Sequence, residues 1–253
     1  MRKEVVNLNL TAAAKCDAGE RNNEDSAYLK LDETNNVFVA VIADGVGGLN
    51  GGEIASRYIT KSIELWFDEI TPELAEMTMA ELQSEMLNIT ERMHEELLDI
   101  AYERHITFGS TMTFAIIGKK KYNIVQVGDS RAYILNGNWV ALITKDQTVA
   151  EYEKETGEII DRIPEKRKEH VLMQCMGAGK IEPKLFTGVL PNNFDMLLCS
   201  DGLSNKLNEV DIKTMLKKSK TCSTALNRMI EVSRNRGEED NITGILIRRR
   251  SNP

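Results

Sequence analysis

Val37-Phe38-Val39-Ala40-Val41-Ile42-Ala43 runs directly into Asp44-Gly45. An unbroken apolar run of this length, rich in β-branched residues, predicts a strand covered on both faces. Its abrupt end in Asp-Gly predicts a carboxylate held at a rigid strand end beside an open loop. Functional groups are commonly mounted that way.

Outward from this strand the same pattern repeats. Residues 111–117 and 122–127 read as strands of a hairpin joined by Gly118-Lys119-Lys120-Lys121. Residues 132–135 and 139–143 flank Asn136-Gly137-Asn138, a strong hairpin-turn signal. A strand over 194–199 stops at Ser200-Asp201-Gly202, and a final strand over 242–247 follows Glu238-Glu239-Asp240-Asn241. Helices are predicted over 53–67, 211–216 and 223–234, with a long one over 72–100 that places Pro72 in its first turn. In that helix Leu82, Met86, Ile89, Met93, Leu97 and Ile100 recur at three- and four-residue steps and form a stripe for packing on a sheet. Strands outnumber helices and hairpins join several of them. Antiparallel sheets packed on each other and covered by helices therefore fit better than a parallel doubly wound sheet. Residues 145–168 differ in character: highly charged, with Gly157 and Pro164 and few apolar anchors, they read either as a flap over a site or as a solvated excursion.

The chain of 253 residues is 42% hydrophobic and 28% charged, with a net charge of −7, which fits a globular protein. The acidic balance argues against a nucleic-acid partner, and no apolar run approaches the ~20 residues of a membrane span. Met1-Arg2-Lys3-Glu4-Val5-Val6-Asn7 lacks the apolar stretch of a secretory signal. Cys16, Cys175, Cys199 and Cys222 are too scattered for a disulfide framework or a thiolate zinc site, so reduced, mostly buried thiols in a cytoplasmic protein are expected. His94, His105 and His170 do not stand at metal-ligand spacing. Any metal would then be held by oxygen, which selects hard cations such as Mg²⁺ or Mn²⁺. Arg248-Arg249-Arg250 reads as a solubilising tail beyond the last strand.

Asp44, Asp129, Asp201 and Asp240 all adjoin apolar strands, and Glu24-Asp25 leads into another. Asp-Gly is a common turn, so one such residue says little. Gathered together, these carboxylates would repel one another unless cations lay between them. Two such cations could activate a water for attack at phosphorus. Gly45 would let its carbonyl approach a metal, while Gly47 and Gly48 would keep the following loop low. A nucleotide-binding phosphate loop is the competing reading of residues 45–52, but the G-K-[S/T] ending is missing. Arg21, three residues before Glu24, is the candidate anion partner, its planar fork matching two phosphate oxygens. Simple pairing with a nearby carboxylate is the alternative. Arg131 is expected to brace the acidic cluster.

Six segments, in this order, resemble the metal-dependent protein phosphatase family (protein phosphatase type 2C), especially its small stand-alone bacterial Ser/Thr phosphatases. They are Gly19-Glu20-Arg21-Asn22-Asn23-Glu24-Asp25-Ser26, Ala43-Asp44-Gly45-Val46-Gly47-Gly48, Gly109-Ser110-Thr111, Val127-Gly128-Asp129-Ser130-Arg131, Leu198-Cys199-Ser200-Asp201-Gly202-Leu203 and Asp240-Asn241-Ile242-Thr243. The resemblance implies one phosphatase domain over 1–253, an α+β fold built as a four-layer α-β-β-α sandwich of two antiparallel sheets flanked by helices. It makes 145–168 a small flap subdomain. It implies hydrolysis of phosphoserine and phosphothreonine in proteins by water activated between two Mn²⁺ or Mg²⁺ ions.

By motif match Asp44 would bridge both ions, the Gly45 carbonyl would bind one, and Asp201 and Asp240 would complete the other. Glu24 or Asp25 would serve the first, and Asp129 would share a weaker third ion with Asp201. Arg21 matches the phosphate-binding arginine. The expected partners are phosphorylated proteins and an opposing bacterial Ser/Thr kinase, and the protein is expected to be a monomer. Val46 stands where many eukaryotic members carry a His for the leaving group, which leaves the general acid open. Asp146-Gln147-Thr148 stands where Asp-His-Ser is usual in bacterial relatives. Two alternatives are a phosphoprotein-binding pseudophosphatase, a type that commonly lacks a bridging Asp, and a phosphatase of a sigma-factor regulator, a type that commonly carries sensory domains.

Overall fold

The computed structural model describes residues 9–46 and 51–250. The first elements are β1 (Asn9–Asp17), β2 (Asp25–Asp32), β3 (Val37–Val46), α1 (Gly52–Ile70) and α2 (Met79–Arg104). The short β4 (Gly109–Ser110) precedes β5 (Met112–Ile117), β6 (Lys121–Val127), β7 (Arg131–Asn136) and β8 (Trp139–Leu142). Next come α3 (Val149–Thr156), a 3-10 turn (Glu165–His170), β9 (Lys184–Val189) and β10 (Phe194–Cys199). The chain closes with α4 (Asp201–Ser204), α5 (Glu209–Lys218), α6 (Cys222–Asn235) and β11 (Ile242–Arg250).

One sheet has the order β1-β11-β10-β7-β8; the other has the order β2-β3-β5-β6-β9, with β4 beside β3. The strand pairs are antiparallel throughout. β3 shows why its sequence alternates nowhere. Val39, Val41 and Ala43 join the apolar layer beneath α1 and α2, whereas Phe38, Ala40 and Ile42 join the layer between the sheets. A third layer brings Leu197, Cys199 and Leu246 against Ile212, Leu226 and Met229 of α5 and α6. Three apolar layers separate four layers of secondary structure, and the expected α-β-β-α sandwich is what forms.

The long helix starts later than its Pro72 suggested. α1 runs on to Ile70, residues 71–77 turn, and α2 begins at Met79 behind a capping box in which Thr78 and Glu81 satisfy each other's backbone N–H groups. That reciprocal cap outweighs the proline signal. The Leu82–Leu97 stripe is buried as expected, with Ile100 partly so. The arginine tail is the second correction, since β11 extends through Arg250. Arg248 Nε donates to Asp195 Oδ1 at 2.6 Å, and its other nitrogens donate to the carbonyls of Ser219 and Leu216. Arg249 lies over the Phe194 ring, 4.7 Å from its centroid, and donates to the carbonyls of Asn192, Lys119 and Pro191. These arginines bind the end of the sheet together instead of floating in solvent. All four cysteines are free, but only Cys199 and Cys222 are buried. Cys16 is exposed.

The register gathers the acidic strand ends. Asp25 pairs with Asp44 across β2 and β3, Asp17 with Ile242 across β1 and β11, and Gly45 with Ser110 across β3 and β4. Asp201 comes two residues after the end of β10, whose last residue, Cys199, pairs with Gly244.

Candidate active site

β3 holds Asp44 through its backbone. The Asp44 N–H donates to Thr111 Oγ1 at 3.0 Å, and its carbonyl accepts from Thr111 N–H at 2.8 Å and Ser110 Oγ at 3.0 Å. Its side chain is thereby aimed from a fixed strand end. Gly45 N–H donates to the Glu24 carbonyl at 3.2 Å. A Cβ at Gly45 would stand only 2.4 Å from the backbone of Gly52 and 2.6 Å from the Glu24 carbonyl oxygen, so the tight approach of three backbones requires glycine here. Gly47 and Gly48 lie outside the described residues.

Asp25 is buried beside Asp44. Ser200 Oγ donates to Asp25 Oδ2 at 2.9 Å, and Thr243 N–H donates to Ser200 Oγ at 2.9 Å, which links β2 to β10 and β11. Oδ1 of Asp25 is buried with no hydrogen-bond partner, and so is Oδ1 of Asp201. The other Asp201 oxygen accepts from Asn205 Nδ2 at 3.2 Å. Asn241 supplies a further lace: its Oδ1 accepts Glu24 N–H at 2.8 Å, and its amide donates to the Ala18 carbonyl at 3.1 Å.

The electrostatics record the crowding. Burial, followed by the charges of Asp25, Asp201, Asp129 and Asp240, holds the Asp44 carboxyl well above its ordinary range. Burial and the same neighbourhood raise Asp25 to about 6, even though hydroxyl donors pull the other way. Asp129 is pushed up to about 8 by burial and then by Asp201 and Asp146, with Arg131 opposing. Asp201 is raised by burial and Asp240, partly offset by hydrogen bonds with Asn205 and Asp44. Glu24 is raised by burial, Glu53 and Asp240. Like charges so placed raise one another's proton affinity unless positive charge intervenes.

Asp44, Asp25, Asp201, Asp129, Asp240 and Glu24 therefore occupy one neighbourhood. Among the described residues, no three of these side chains close into a ready-made coordination shell. Asp240 sits at its rim with its side chain half exposed, and Arg21 reaches the same rim. The guanidinium of Arg21 lies 3.3 Å from Glu239 and 3.8 Å from Asp240. It pairs with nearby carboxylates at the edge of the cluster. Arg131 does not touch the cluster directly; it holds both oxygens of Asp146, at 2.6 to 3.1 Å, and donates to Tyr133 OH. Ser200, Thr243, Thr111 and Asn241 escaped the sequence reading as site residues. Their only signal was position beside an Asp or at a strand end. His94 serves the fold: its Nδ1 accepts Gly177 N–H at 3.1 Å and its Nε2 faces the Gly179 carbonyl at 3.2 Å.

A partly buried set of carboxylates at one end of an α-β-β-α sandwich defines the class, and the family model described as protein phosphatase 2C matches residues 14–246. The chain belongs to that family. It is 30% identical over 232 residues to the serine/threonine phosphatase stp of Listeria monocytogenes, covering 90% of each chain. Against the serine/threonine protein phosphatase PstP of Mycobacterium tuberculosis it is 29% identical over 248 residues, covering 95% of this chain and 45% of that protein. Among solved structures, serine/threonine phosphatase Stp1 from Staphylococcus aureus superposes with a TM-score of 0.80 at 28% identity, covering 94% of both chains. The catalytic domain of PstP in complex with two manganese ions gives a TM-score of 0.78 at 26% identity, covering 96% of this chain and 99% of that one.

Proposed function

We propose that this chain is a metal-dependent phosphatase that hydrolyses phosphoserine and phosphothreonine in proteins. The observation that carries the reading is the carboxylate cluster with two buried, orphaned oxygens, on Asp25 and Asp201. A buried anionic oxygen with no donor is costly, and oxygen-rich acidic sets suit Mg²⁺ or Mn²⁺. The residues present fit such ions. Asp44 would bridge two of them, with the Gly45 carbonyl and Glu24 or Asp25 serving one and Asp201 and Asp240 the other. Asp129 with Asp201 would take a weaker third. Bound there, divalent cations supply positive charge to the phosphoryl oxygens and acidify water.

The chain's own groups do the rest. Arg21, already at the rim beside Asp240, would turn its fork to two phosphoryl oxygens and hold the phosphoester against the cluster. The β3, β10 and β11 backbones keep the carboxylates in place, so little reorganisation accompanies reaction. Val46 offers no proton to the leaving alkoxide, so solvent in the site must supply it.

The finer reading is a monomeric cytoplasmic enzyme, folded as one domain with 145–168 as its flap, that opposes a bacterial Ser/Thr kinase. A relative carrying two manganese ions, the family membership and the intact Asp44, Asp201 and Asp240 support catalysis over phosphoprotein binding alone. Phosphopeptide hydrolysis with Mn²⁺, with EDTA, and by Asp44→Ala tests this directly. Turnover only by the wild type with Mn²⁺ is expected; equal rates in all three conditions would end the proposal.

A further inference from the structure

The turn that carries Asp129 is held from outside by the start of the charged excursion. Gln147 Oε1 accepts Gly128 N–H at 2.6 Å, Gln147 N–H donates to the Gly128 carbonyl at 3.2 Å, and its Nε2 donates to the Gln126 carbonyl at 3.4 Å. On the other side of Asp129, Arg131 is gripped by both oxygens of Asp146. Within the turn, the Ser130 carbonyl accepts from Thr113 Oγ1 at 2.7 Å and Gln126 Nε2 at 3.0 Å. Gly128 adopts φ +97°, and a Cβ there would stand 2.7 Å from the Thr111 side chain, so the turn requires glycine at this position. The excursion's two ends are themselves zipped together. Met173 N–H donates to the Gln147 carbonyl at 2.8 Å and Val149 N–H to the Val171 carbonyl at 2.9 Å.

We infer that Gln147 is a positioning residue that fixes the Asp129 carboxylate and couples the excursion to the divalent-cation site that Asp129 serves. Asp129 itself makes no bond to Gln147; its backbone neighbours on the N-terminal side do. Gly128 is the adjacent residue, so freeing its N–H from the Gln147 side chain loosens the peptide that aims Asp129, while the Gln147 N–H still holds the Gly128 carbonyl. The side-chain acceptor on Gly128 N–H is the critical contact: it is the shortest of the three, and Gln147→Glu keeps it while giving up the Nε2 bond to the Gln126 carbonyl. Residues 149–171 are joined to the same point through the Met173 N–H bond to the Gln147 carbonyl. Occupancy at Asp129 and the placement of the excursion are therefore linked, each favouring the same arrangement of Gln147.

This inference rests on the proposed metal-site reading, and the test separates the two. In the metal-free protein, amide hydrogen exchange across 126–131 should quicken at least fivefold in Gln147→Ala, whereas Gln147→Glu, which keeps the acceptor for Gly128 N–H, should retain wild-type protection. Calorimetric titration with Mn²⁺ should show the weakest binding event in Gln147→Ala weakened about as much as in Asp129→Asn, with the double variant no weaker than Asp129→Asn alone. Wild-type exchange in Gln147→Ala, faster exchange with unchanged Mn²⁺ binding, or additive losses in the double variant would each overturn it. The exchange arm requires no turnover. A wild-type protein inactive on phosphopeptides would overturn the phosphatase reading, while the exchange rates would still decide for or against the Gln147 clamp.

Discussion

Asp195 and Arg21 mark two opposite uses of the same ionic chemistry. Asp195 is 1% exposed and is satisfied by Arg248 and Arg250, a pair of bonds that closes the end of β11 on β10. Removing one partner of a buried pair strands a charge at a cost of about 3–5 kcal/mol. Arg250 still reaches Asp195, so Arg248→Ala should destabilise the protein by the lower end of that range, about 3 kcal/mol. Urea unfolding measures it, and a loss near zero would show that the contact is superficial. Arg21 is more than half exposed and its present carboxylate partners hold it loosely. Its removal should therefore spare the fold and lower kcat/KM on phosphopeptides by about tenfold or more, in keeping with the ~1.5–3 kcal/mol of a charge-assisted hydrogen bond. Arg21→Lys should recover part of the loss. Wild-type kcat/KM in Arg21→Ala would remove it from the site.

At the scale of elements, α2 reaches across the molecule through His94. Its Nδ1 accepts Gly177 N–H, so the ring is neutral with its proton on Nε2, toward the Gly179 carbonyl. Burial lowers its proton affinity, and the unfolded chain takes up a proton near the ordinary histidine value of 6.5 while the folded ring resists. The unfolded state then binds more protons, so this contribution to stability is complete above that value and is lost as pH falls toward the depressed folded one. In metal-free protein, His94→Gln should flatten the fall in unfolding free energy between about pH 7.5 and about pH 5.5. An acid limb identical to the wild type's would contradict that assignment. The loop it clamps includes Met176, whose backbone bridges to Ser110 beside Asp44.

The elements also show what the amino-acid order discloses. β3 was legible because burial on both faces demands an unbroken apolar run. β10 and β11 were legible for a related reason, each adjoining an acid. β1 hid because Asn9-Leu10-Thr11-Ala12-Ala13-Ala14-Lys15 has little β-branched content and forms an edge, where burial asks less of the sequence. β9 is an edge strand as well, and Gly188 interrupts its pattern. α3 hid among charges, being held by its Thr148 cap and by ion pairs such as Lys168–Glu153 more than by an apolar face. In the site, carboxylates at strand ends were legible one by one. The Ser200–Asp25 and Asn241–Glu24 bonds were not, because each joins residues far apart in the chain that only the sheet register brings together.

For the whole molecule, the acidic cluster sets how stability depends on pH and on divalent ions. Asp25 at about 6 and Asp129 at about 8 keep protons in the folded state that the unfolded chain releases near the ordinary value of 3.8. The folded state then binds more protons, so their contribution is fully present at low pH and is lost as pH rises through those folded values. Cations that replace the protons should reverse the loss. The rise in Tm produced by Mn²⁺ should therefore grow from about pH 6 to about pH 8.5, and a constant rise across that range would count against a shared cation site.

The most direct measurement is anomalous diffraction at the manganese edge from crystals grown with Mn²⁺. Two strong peaks are expected within coordination distance of the Asp44 carboxylate, one also reached by Asp201 and Asp240 and the other by the Gly45 carbonyl. Manganese peaks elsewhere on the surface, with none between Asp44, Asp201 and Asp240, would contradict the account.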